Sequence, residues 1–209
     1  MIKKILAQKF ILQRLGGTKM KEMKKYELTS EFKINIWGKK LFRIKALIDI
    51  KRYGVKKGDL GGYIEKEDNL SHDGNAWVYE NAWVYGNARV CGDARVYENA
   101  WVYENAWVYE NARVCGNARV CGDARVCGNA RVYENADYAT IKGFGTYFRT
   151  TTFFRCKDNT VKVACGCFSG TIDEFREQVK KTREGKVAEE YLMIADLMEK
   201  HFEREDKNV

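Results

Sequence analysis

Residues 75–134 read NAWVYE, NAWVYG, NARVCG, DARVYE, NAWVYE, NAWVYE, NARVCG, NARVCG, DARVCG and NARVYE, ten units of six residues without insertion or deletion. An internal repeat of this regularity constrains the fold before any local propensity does. Within a unit, Ala and Val are two residues apart, so in an extended strand their side chains face the same way. The Trp or Arg between them, and the Tyr or Cys after them, face the opposite way. We therefore expect Ala and Val to form a core and the larger residues to point outward.

The residues that join consecutive units are Glu-Asn, Gly-Asn or Gly-Asp. These residue types tolerate the backbone angles of a tight corner. A short strand and a corner every six residues suit a solenoid, in which each strand pairs with the equivalent strand one coil away. Three units then close a triangular coil of about 18 residues, with neighbouring coils roughly 4.8 Å apart. A helix is excluded because six residues is not a helical period and because Val and aromatic residues favour strands.

The segment before the repeats predicts a β cap. Apolar residues alternate at 32–36 and again at 42–46, on either side of Trp37-Gly38-Lys39-Lys40, which indicates a hairpin. The glycine-rich stretch 55–64 lacks the spacing of nucleotide-binding loops and indicates a turn into the first coil. An open end of a solenoid exposes unpaired strand edges, so the hairpin is expected to cover one end.

The segment after the repeats predicts an α+β cap for the other end. Strands are expected at 147–156 and 160–168. A helix then begins after a capping residue within 169–171 and runs to about Lys181, and a second helix occupies 187–202. Weaker copies of the hexad at 69–74 and 135–140 extend the stack to about four coils, and residues 63–68 are a further candidate copy.

Three features of the chain resemble a known family. An aliphatic residue followed four positions later by a small one, as in Val78 and Ala82, resembles the hexapeptide-repeat proteins, whose fold is a left-handed parallel β-helix. In that family Gly often follows the aliphatic residue, whereas Tyr or Cys stands there in this chain. GVKKGDLGGYIEKEDNLS at 54–71 and a tail with TTFFR at 151–155 and ACGCFSGT at 164–171 resemble hexapeptide-repeat proteins encoded by bacteriophages and prophages. The resemblance covers roughly residues 23–202 and implies a phage context without a settled activity.

Together these observations predict a mainly β protein, a triangular left-handed parallel β-helix of about four coils between two caps. The expected divisions are a leader at 1–22, an N-terminal β cap at 23–68, the β-helix at 69–140, and an α+β C-terminal cap with two helices at 141–209. Leu15-Gly16-Gly17 resembles a translated ribosome-binding sequence, so Met1, Met20 and Met23 all stay open as the start. The alternative for the leader is a short amphipathic helix.

Charge and cysteine content limit which kinds of partner and which cellular compartment are expected for this chain. Lys and Arg exceed Asp and Glu by 8 over the chain, and this excess lies before residue 75. Direct contact with nucleic acid is therefore expected only through the basic N-terminal cap. No apolar run approaches the roughly 18 residues that span a membrane. An odd number of cysteines, most of them in the repeats, indicates free thiols in a reducing compartment, the cytoplasm of a bacterial host cell.

No group of residues carries an evident catalytic or metal site. Hexapeptide-repeat acyltransferases use a His as general base beside loops that interrupt the coils, whereas these repeats are uninterrupted. His72 falls on an inward position of a weak hexad and is expected to be a core residue, while His201 lies in the last helix. The family's carbonic anhydrases need three zinc-binding His, and this chain has two. We expect no catalytic residue, cofactor or metal.

The cysteines are also candidate metal ligands. Cys115, Cys121 and Cys127 are six residues apart and so lie on three different faces of a triangular coil, which separates their thiols. Cys156, Cys165 and Cys167 are a better set, but a fourth ligand is missing. Whether that set binds a metal is left open by the sequence.

The predicted exterior is patterned in vertical rows. Taking every third unit places Trp77 above Arg95, Trp83 above Trp101, and Arg89 above Trp107. Stacking between Trp83 and Trp101, and a cation–π contact between Trp77 and Arg95, are expected. Such aromatic and Arg residues dominate binding surfaces. The candidate partner-binding residues are Trp77, Trp83, Trp101, Trp107, Arg89, Arg95, Arg113, Arg119, Arg125, Arg131, Tyr79, Tyr85, Tyr103 and Tyr109.

The function hypothesis from sequence is a non-enzymatic phage-type solenoid that docks on a host protein or ribonucleoprotein and inhibits host defence, in the manner of an anti-CRISPR protein. Glu residues at the corners offset the Arg charge, which favours a protein over nucleic acid as partner. A homo-oligomer along one face is a variant of this hypothesis. The alternatives are a hexapeptide-repeat acyltransferase and a self-assembling structural component of a phage, in which the rows only stabilise the rod.

Overall fold

The computed structural model describes residues 24–203 and is built around three parallel ladders of two-residue strands. The expected leader at 1–22 lies outside the described residues. The N-terminal strands are β1 (Tyr26–Ile34), β2 (Lys40–Ala46) and β3 (Leu60–Ile64). The solenoid strands are β4 (Trp77–Val78), β5 (Trp83–Val84), β6 (Arg89–Val90), β7 (Arg95–Val96), β8 (Trp101–Val102), β9 (Trp107–Val108), β10 (Arg113–Val114), β11 (Arg119–Val120), β12 (Arg125–Val126) and β13 (Arg131–Val132).

The ladders define three faces of the solenoid. Face 1 consists of β4, β7, β10 and β13; face 2 of β3, β5, β8 and β11; and face 3 of β6, β9 and β12. An isolated bridge between Leu70 and Val90 adds a first rung to face 3. From β4 to β10, each strand pairs in parallel with the third strand after it, as Trp77 pairs with Arg95 and Val78 with Val96. The prediction of three hexads per coil, and of about four coils, is confirmed.

The Ala and Val of each hexad fill the inside of the coils. Every one of these residues from Ala76 to Val132 is 0% exposed. Burying apolar side chains contributes on the order of 25 cal/mol per Å² to the free energy of folding. Because the same small side chains stack in every coil, each coil has the same shape as the next. The core is therefore uniform along the rod, as the alternation of the sequence predicted.

The corners place the sixth residue of most hexads in the left-handed region of backbone conformation. Gly suits this region, but Glu98, Glu104 and Glu110 also occupy it, with φ of 59–60°. Each of these carboxylates accepts a hydrogen bond from the backbone N–H of a corner Gly one coil further on. The Oε2–N distances are 2.7 Å for Glu98 and Gly116, 2.6 Å for Glu104 and Gly122, and 2.7 Å for Glu110 and Gly128. Such charge-assisted bonds offset the backbone strain of the corner.

The N-terminal hairpin continues face 2 beyond the first coil. β1 pairs antiparallel with β2, β2 pairs antiparallel with β3, and β3 pairs in parallel with β5. The predicted hairpin is confirmed. Its apolar side facing the solenoid is formed by Tyr26 and Ile44, whereas Phe32 and Ile34 are exposed. Short 3₁₀ helices at Lys51–Tyr53 and Glu67–Asn69 complete this cap.

The carbonyl groups of the first coil have no coil before them, and donors from the N-terminal cap meet them on each face. The backbone N–H of Tyr63 donates to Ala82 O on face 2 at 2.9 Å. The Asn69 side-chain amide donates to Ala88 O at the start of face 3 at 2.8 Å, and the Lys25 ammonium donates to Ala76 O of face 1 at 2.8 Å. The cap thus supplies the bonds that a preceding coil would make.

The C-terminal cap is a four-stranded antiparallel sheet with two helices against it. Its elements are β14 (Tyr138–Phe144), β15 (Arg149–Arg155), β16 (Val161–Cys165), β17 (Phe168–Thr171), α1 (Ile172–Thr182) and α2 (Gly185–Phe202). Both predicted helices are confirmed, and Thr171 and Glu174 form a reciprocal capping box at the start of α1. Neither helix is long and apolar enough to span a membrane, within the described residues.

The segment 135–140, expected as a last weak hexad, does not form one. Residues Asn135–Asp137 make a 3₁₀ helix, and β14 turns away to pair antiparallel with β15. Side chains nevertheless accept the hydrogen bonds that the carbonyl groups of a further coil would accept. Asn135 Oδ1 accepts from Arg119 N at 2.8 Å and Thr152 Oγ1 accepts from Arg125 N at 3.0 Å. Asp137 accepts from Tyr133 N and Glu134 N, so its polar atoms close the end of face 1.

Candidate functional site

Face 2 carries an aromatic and cationic row. The Trp83 and Trp101 rings stack with centroids 4.8 Å apart and planes 4° from parallel. The Arg119 guanidinium lies 4.5 Å from the Trp101 ring centroid, in a cation–π contact. The predicted stacking of the two indoles is confirmed, since in-register pairing brings each side chain directly over the next. Arg119 at the end of this row is exposed.

A second row on face 2 places Tyr85 over Tyr103, with ring centroids 5.1 Å apart. Trp37, from the turn between β1 and β2, lies against both rings at 6.0 and 6.4 Å. Tyr85 is only 4% exposed, so it contributes far less open surface than the outward position of its hexad predicted. Burial raises the pKa of its phenol, and its hydroxyl has no hydrogen-bond partner among the described residues.

A cleft of about 480 Å³ opens beside these rows. Trp37, Tyr85 and Tyr103 line its aromatic side, and Lys39 and Lys66 lie at its margin. Lys39 is paired with Glu65 at 3.2 Å, and Glu65 also accepts from the backbone N–H of Gly86 at 2.6 Å. The margin of the cleft also carries the carboxylates of Glu65 and Glu104, so the aromatic recess between these charges suits an apolar anchor.

The N-terminal cap covers the first rungs of face 1. Trp77 is 1% exposed and meets the edge of the Tyr26 ring at 6.3 Å. The assignment of Trp77 as a contact residue is therefore wrong. The expected Trp77–Arg95 pair is replaced, because the Arg95 guanidinium lies 4.6 Å from the ring centroid of Tyr53. Burial raises the pKa of Tyr79, which is half-buried on the same face, to about 12.

Face 3 is the most open of the three. Arg89 and Arg125 are exposed, Trp107 is 38% exposed, and the Arg125 guanidinium lies 5.8 Å from the Trp107 ring centroid. Tyr109 is half-buried beside Trp107, with ring centroids 5.7 Å apart. Face 3 thus carries one Trp–Arg pair, whereas face 2 carries two stacked Trp, an Arg and an adjoining cleft.

His72 lies in the N-terminal cap. Its ring stacks on Tyr26 at 4.4 Å, and its Nδ1 accepts a hydrogen bond from the backbone N–H of Lys25 at 3.2 Å. In the neutral ring this bond places the proton on Nε2, which lies 3.7 Å from the Glu67 carboxylate. A neutral His72 therefore has no free lone pair to act as a general base. It is half-buried under the cap instead of inside a coil.

The seven cysteines are free thiols at scattered positions. Cys115 and Cys127 are buried although their hexad position was expected to face outward. Cys156 is buried, Cys165 accepts from the Thr151 hydroxyl at 3.2 Å, and Cys167 is exposed. Within residues 24–203, no three His, Cys, Asp or Glu side chains lie close enough together to hold a metal ion.

Sequence reasoning missed Trp37, Lys39 and Lys66 as parts of the site. The motif Trp37-Gly38-Lys39-Lys40 was interpreted only as a turn. A Trp at the tip of a hairpin is unusual, since turns favour Gly, Asn and Asp, and this alone could have indicated a contact residue. Its partners, however, are 48 and 66 residues further along the chain, at Tyr85 and Tyr103.

Comparison with known proteins finds one family model that matches the coils of the solenoid. The sequence model of the YdcK beta solenoid repeat matches residues 88–104, 112–126 and 124–136. Comparison with curated proteins gives no match. The matched segments contain strands from all three faces. In these coils the chain is similar to the YdcK repeats, and the match agrees with the geometry that this is a β-solenoid repeat protein.

Proposed function

We propose that this protein is a non-enzymatic β-solenoid that binds a partner protein through face 2. The observation that carries the proposal is the continuous surface formed by Trp83, Trp101 and Arg119 with Trp37 and Tyr103 beside it. Trp, Tyr and Arg are the residue types that contribute most to protein interfaces. Grouping them around a recess provides both an apolar centre and a polar rim.

The charges around the surface favour an acidic protein over nucleic acid. Arg119 is exposed at one end of the row, and Lys39 and Lys66 border the cleft. The corner carboxylate of Glu104 also lines the cleft, although it is engaged by the N–H of Gly122. A phosphate backbone, which carries a charge at every nucleotide, would meet the carboxylates of Glu65 and Glu104 in the cleft. A protein can instead place single carboxylates beside Arg119 and Lys66 alone. We therefore infer a partner that inserts an apolar side chain into the cleft and presents carboxylates to the surrounding cations.

The absence of catalysis is part of the proposal. His72 is the histidine that a hexapeptide-repeat acyltransferase would need, and its Nδ1 is engaged by the backbone of Lys25. A thermal-shift titration with acetyl-coenzyme A is expected to leave the melting temperature unchanged. A saturable rise that His72→Ala removes would instead favour an acyltransferase.

The biological setting rests on the resemblance of 54–71 and of the tail to phage and prophage proteins. On that ground we propose that the partner is a bacterial host protein or ribonucleoprotein in the cytoplasm, and that binding inhibits host defence. The fold alone does not select among partners, because one fold serves many functions.

The two Trp–Arg pairs provide a matched test. Trp101→Ala with Arg119→Ala removes the centre of the face 2 surface, whereas Trp107→Ala with Arg125→Ala removes the equivalent pair on face 3. The partner is identified by affinity capture from nuclease-treated host lysate, and its Kd is measured by calorimetry with purified components. We expect the face 2 variant to weaken binding at least 10-fold, since each residue is of a hot-spot type, and the face 3 variant to bind within about 2-fold of the wild type.

Three outcomes would contradict the proposal. One is an equal loss of affinity in both variants with unchanged melting temperatures. Another is capture of nucleic acid free of protein from host lysate that has not been treated with nuclease. The third is assembly of the wild type into large particles that the face 2 variant disperses, which would assign the row to self-association.

A further inference from the structure

A second recess lies on face 1, away from the proposed docking surface. It has a volume of about 350 Å³ and is bordered by the last two rungs of the face, Arg113 and Arg131. Arg52, from the 3₁₀ helix of the N-terminal cap, and Lys157, from the turn between β15 and β16, complete its wall. Both caps and the solenoid therefore contribute a cation to one pocket.

Backbone pairing and hydrogen bonds fix where these four residues stand around the pocket. Arg113 and Arg131 are in-register partners on adjacent parallel strands. The Arg52 guanidinium donates to Asn111 Oδ1 at 2.9 Å and lies 3.3 Å from the Asp93 carboxylate. The backbone N–H of Lys157 donates to the carbonyl of Asn129, at the corner of the last coil, at 3.2 Å. The pocket is thus built from fixed backbone positions.

The charge of the pocket is not balanced. None of its lining residues is acidic. Within the described part of the chain, Arg52 has a carboxylate partner, whereas Arg113, Arg131 and Lys157 form no ion pair. Like charges that face each other on adjacent strands repel and destabilise the sheet. Arg95, one rung before Arg113, differs because it lies over the Tyr53 ring.

Guanidinium groups bind phosphate through paired hydrogen bonds. Adjacent rungs are roughly 4.8 Å apart, so two neighbouring Arg side chains suit two linked phosphate groups better than one. Ala130 is the lone apolar residue of the lining, which contains no aromatic ring. Next to the lining, the Tyr133 hydroxyl accepts a hydrogen bond from the Arg131 guanidinium at 3.3 Å. The volume lies near the lower end of small-molecule sites, which begin at about 300 Å³.

We propose that this pocket binds a compact polyphosphate group, the diphosphate or triphosphate part of a small ligand, with Arg113 and Arg131 as its principal contacts. Arg52 and Lys157 supply the surrounding positive charge. The site recognises the phosphates and leaves the remainder of the ligand outside. It is independent of partner binding on face 2.

The test is calorimetry on the full chain with inorganic tripolyphosphate, pyrophosphate and sulfate at matched ionic strength. We expect tripolyphosphate and pyrophosphate to bind at least 10-fold more tightly than sulfate. Arg113→Gln with Arg131→Gln should weaken tripolyphosphate binding at least 10-fold, because each removes charge-assisted hydrogen bonds. Arg95→Gln is the matched control from the same ladder and should bind within about 2-fold of the wild type.

The melting temperature separates loss of binding from loss of folding. Without ligand, the Arg113→Gln and Arg131→Gln variant is expected to melt at or above the wild-type temperature, since like-charge repulsion is removed. Equal binding of sulfate and tripolyphosphate would overturn the proposal, as would an equal loss of affinity in Arg95→Gln. Tighter binding of a short single-stranded oligonucleotide than of tripolyphosphate, lost in the double variant, would overturn it in favour of a nucleic-acid backbone contact.

Discussion

At the scale of single residues, the corner glutamates show how an unfavourable conformation is retained in a repeat. A side chain with a Cβ in the left-handed region costs roughly 1–2 kcal/mol relative to Gly. Glu98 adopts this conformation with φ of 60°, and its carboxylate bonds the N–H of Gly116 at 2.7 Å. A hydrogen bond to a charged group contributes about 1.5–3 kcal/mol, less where it is exposed. The energetic cost of the strained backbone and the stabilisation from the hydrogen bond are therefore similar in size.

Substitutions at Glu98 separate the two contributions. Glu98→Ala keeps the strained backbone and loses the carboxylate, so we expect it to lower the free energy of unfolding by about 1–2 kcal/mol. Glu98→Gly loses the same carboxylate but relieves the strain, and it should be more stable than Glu98→Ala by about 1 kcal/mol. Urea denaturation of both variants measures the difference. Equal stability of the Ala and Gly variants would contradict the assignment of strain to this corner.

At the scale of elements, both caps make the hydrogen bonds that a further coil would make at the ends of the ladders. Lys25 and Asn69 donate to carbonyls at the start of the stack, and Asn135 and Thr152 accept from N–H groups at its end. Lys25 is 1% exposed. Burial of its ammonium lowers the pKa to about 8 from the usual 10.5. The Lys25 ammonium thus donates to Ala76 O in place of the backbone N–H that a preceding coil would supply.

The lowered pKa of Lys25 predicts a pH dependence. Between pH 8 and 10 the unfolded chain holds this proton and the folded chain has released it, so Lys25 makes folding more favourable as pH rises. Buried thiols of Cys91, Cys115 and Cys156 have raised pKa values and act in the opposite direction. The difference in unfolding free energy between wild type and Lys25→Met isolates the lysine.

We expect that difference, measured by urea denaturation, to move in favour of the wild type as the pH rises from 8 to 10. The expected slope is on the order of 1 kcal/mol per pH unit, from the free-energy equivalent of a pKa shift. A difference that stays constant over this range would show that Lys25 keeps its ordinary pKa and is not desolvated by the cap.

At the scale of the whole molecule, the period of the sequence determined what could be predicted. An unbroken period of six specifies the coil, the inward Ala and Val, and which residues share a face, because each of these follows from counting along the chain. The pairing of Trp83 with Trp101 and of Arg113 with Arg131 required no knowledge of the caps.

What the period could not predict is which outward residues the caps cover. Trp77 and Trp83 occupy the same position of nearly identical hexads, yet Trp77 is buried and Trp83 is half-exposed. Tyr26, on a separate strand, covers the first and not the second. The aromatic cleft at Trp37 and the basic pocket at Arg52 and Lys157 likewise depend on how the caps dock. Contacts of this kind arise from tertiary packing, which local pattern does not encode.

The central claim is that one coil contains three hexads, which places Trp83 directly over Trp101 with centroids 4.8 Å apart. A double-mutant cycle tests this in solution, because side chains in contact have coupled effects on the free energy of unfolding, whereas side chains on different faces do not. We expect urea denaturation to show a coupling of about 0.5–1.5 kcal/mol between Trp83→Ala and Trp101→Ala, and the effects of Trp83→Ala and Trp107→Ala to add within about 0.5 kcal/mol. Additive effects of Trp83→Ala and Trp101→Ala, or an equal coupling of Trp83→Ala with Trp107→Ala, would contradict the account.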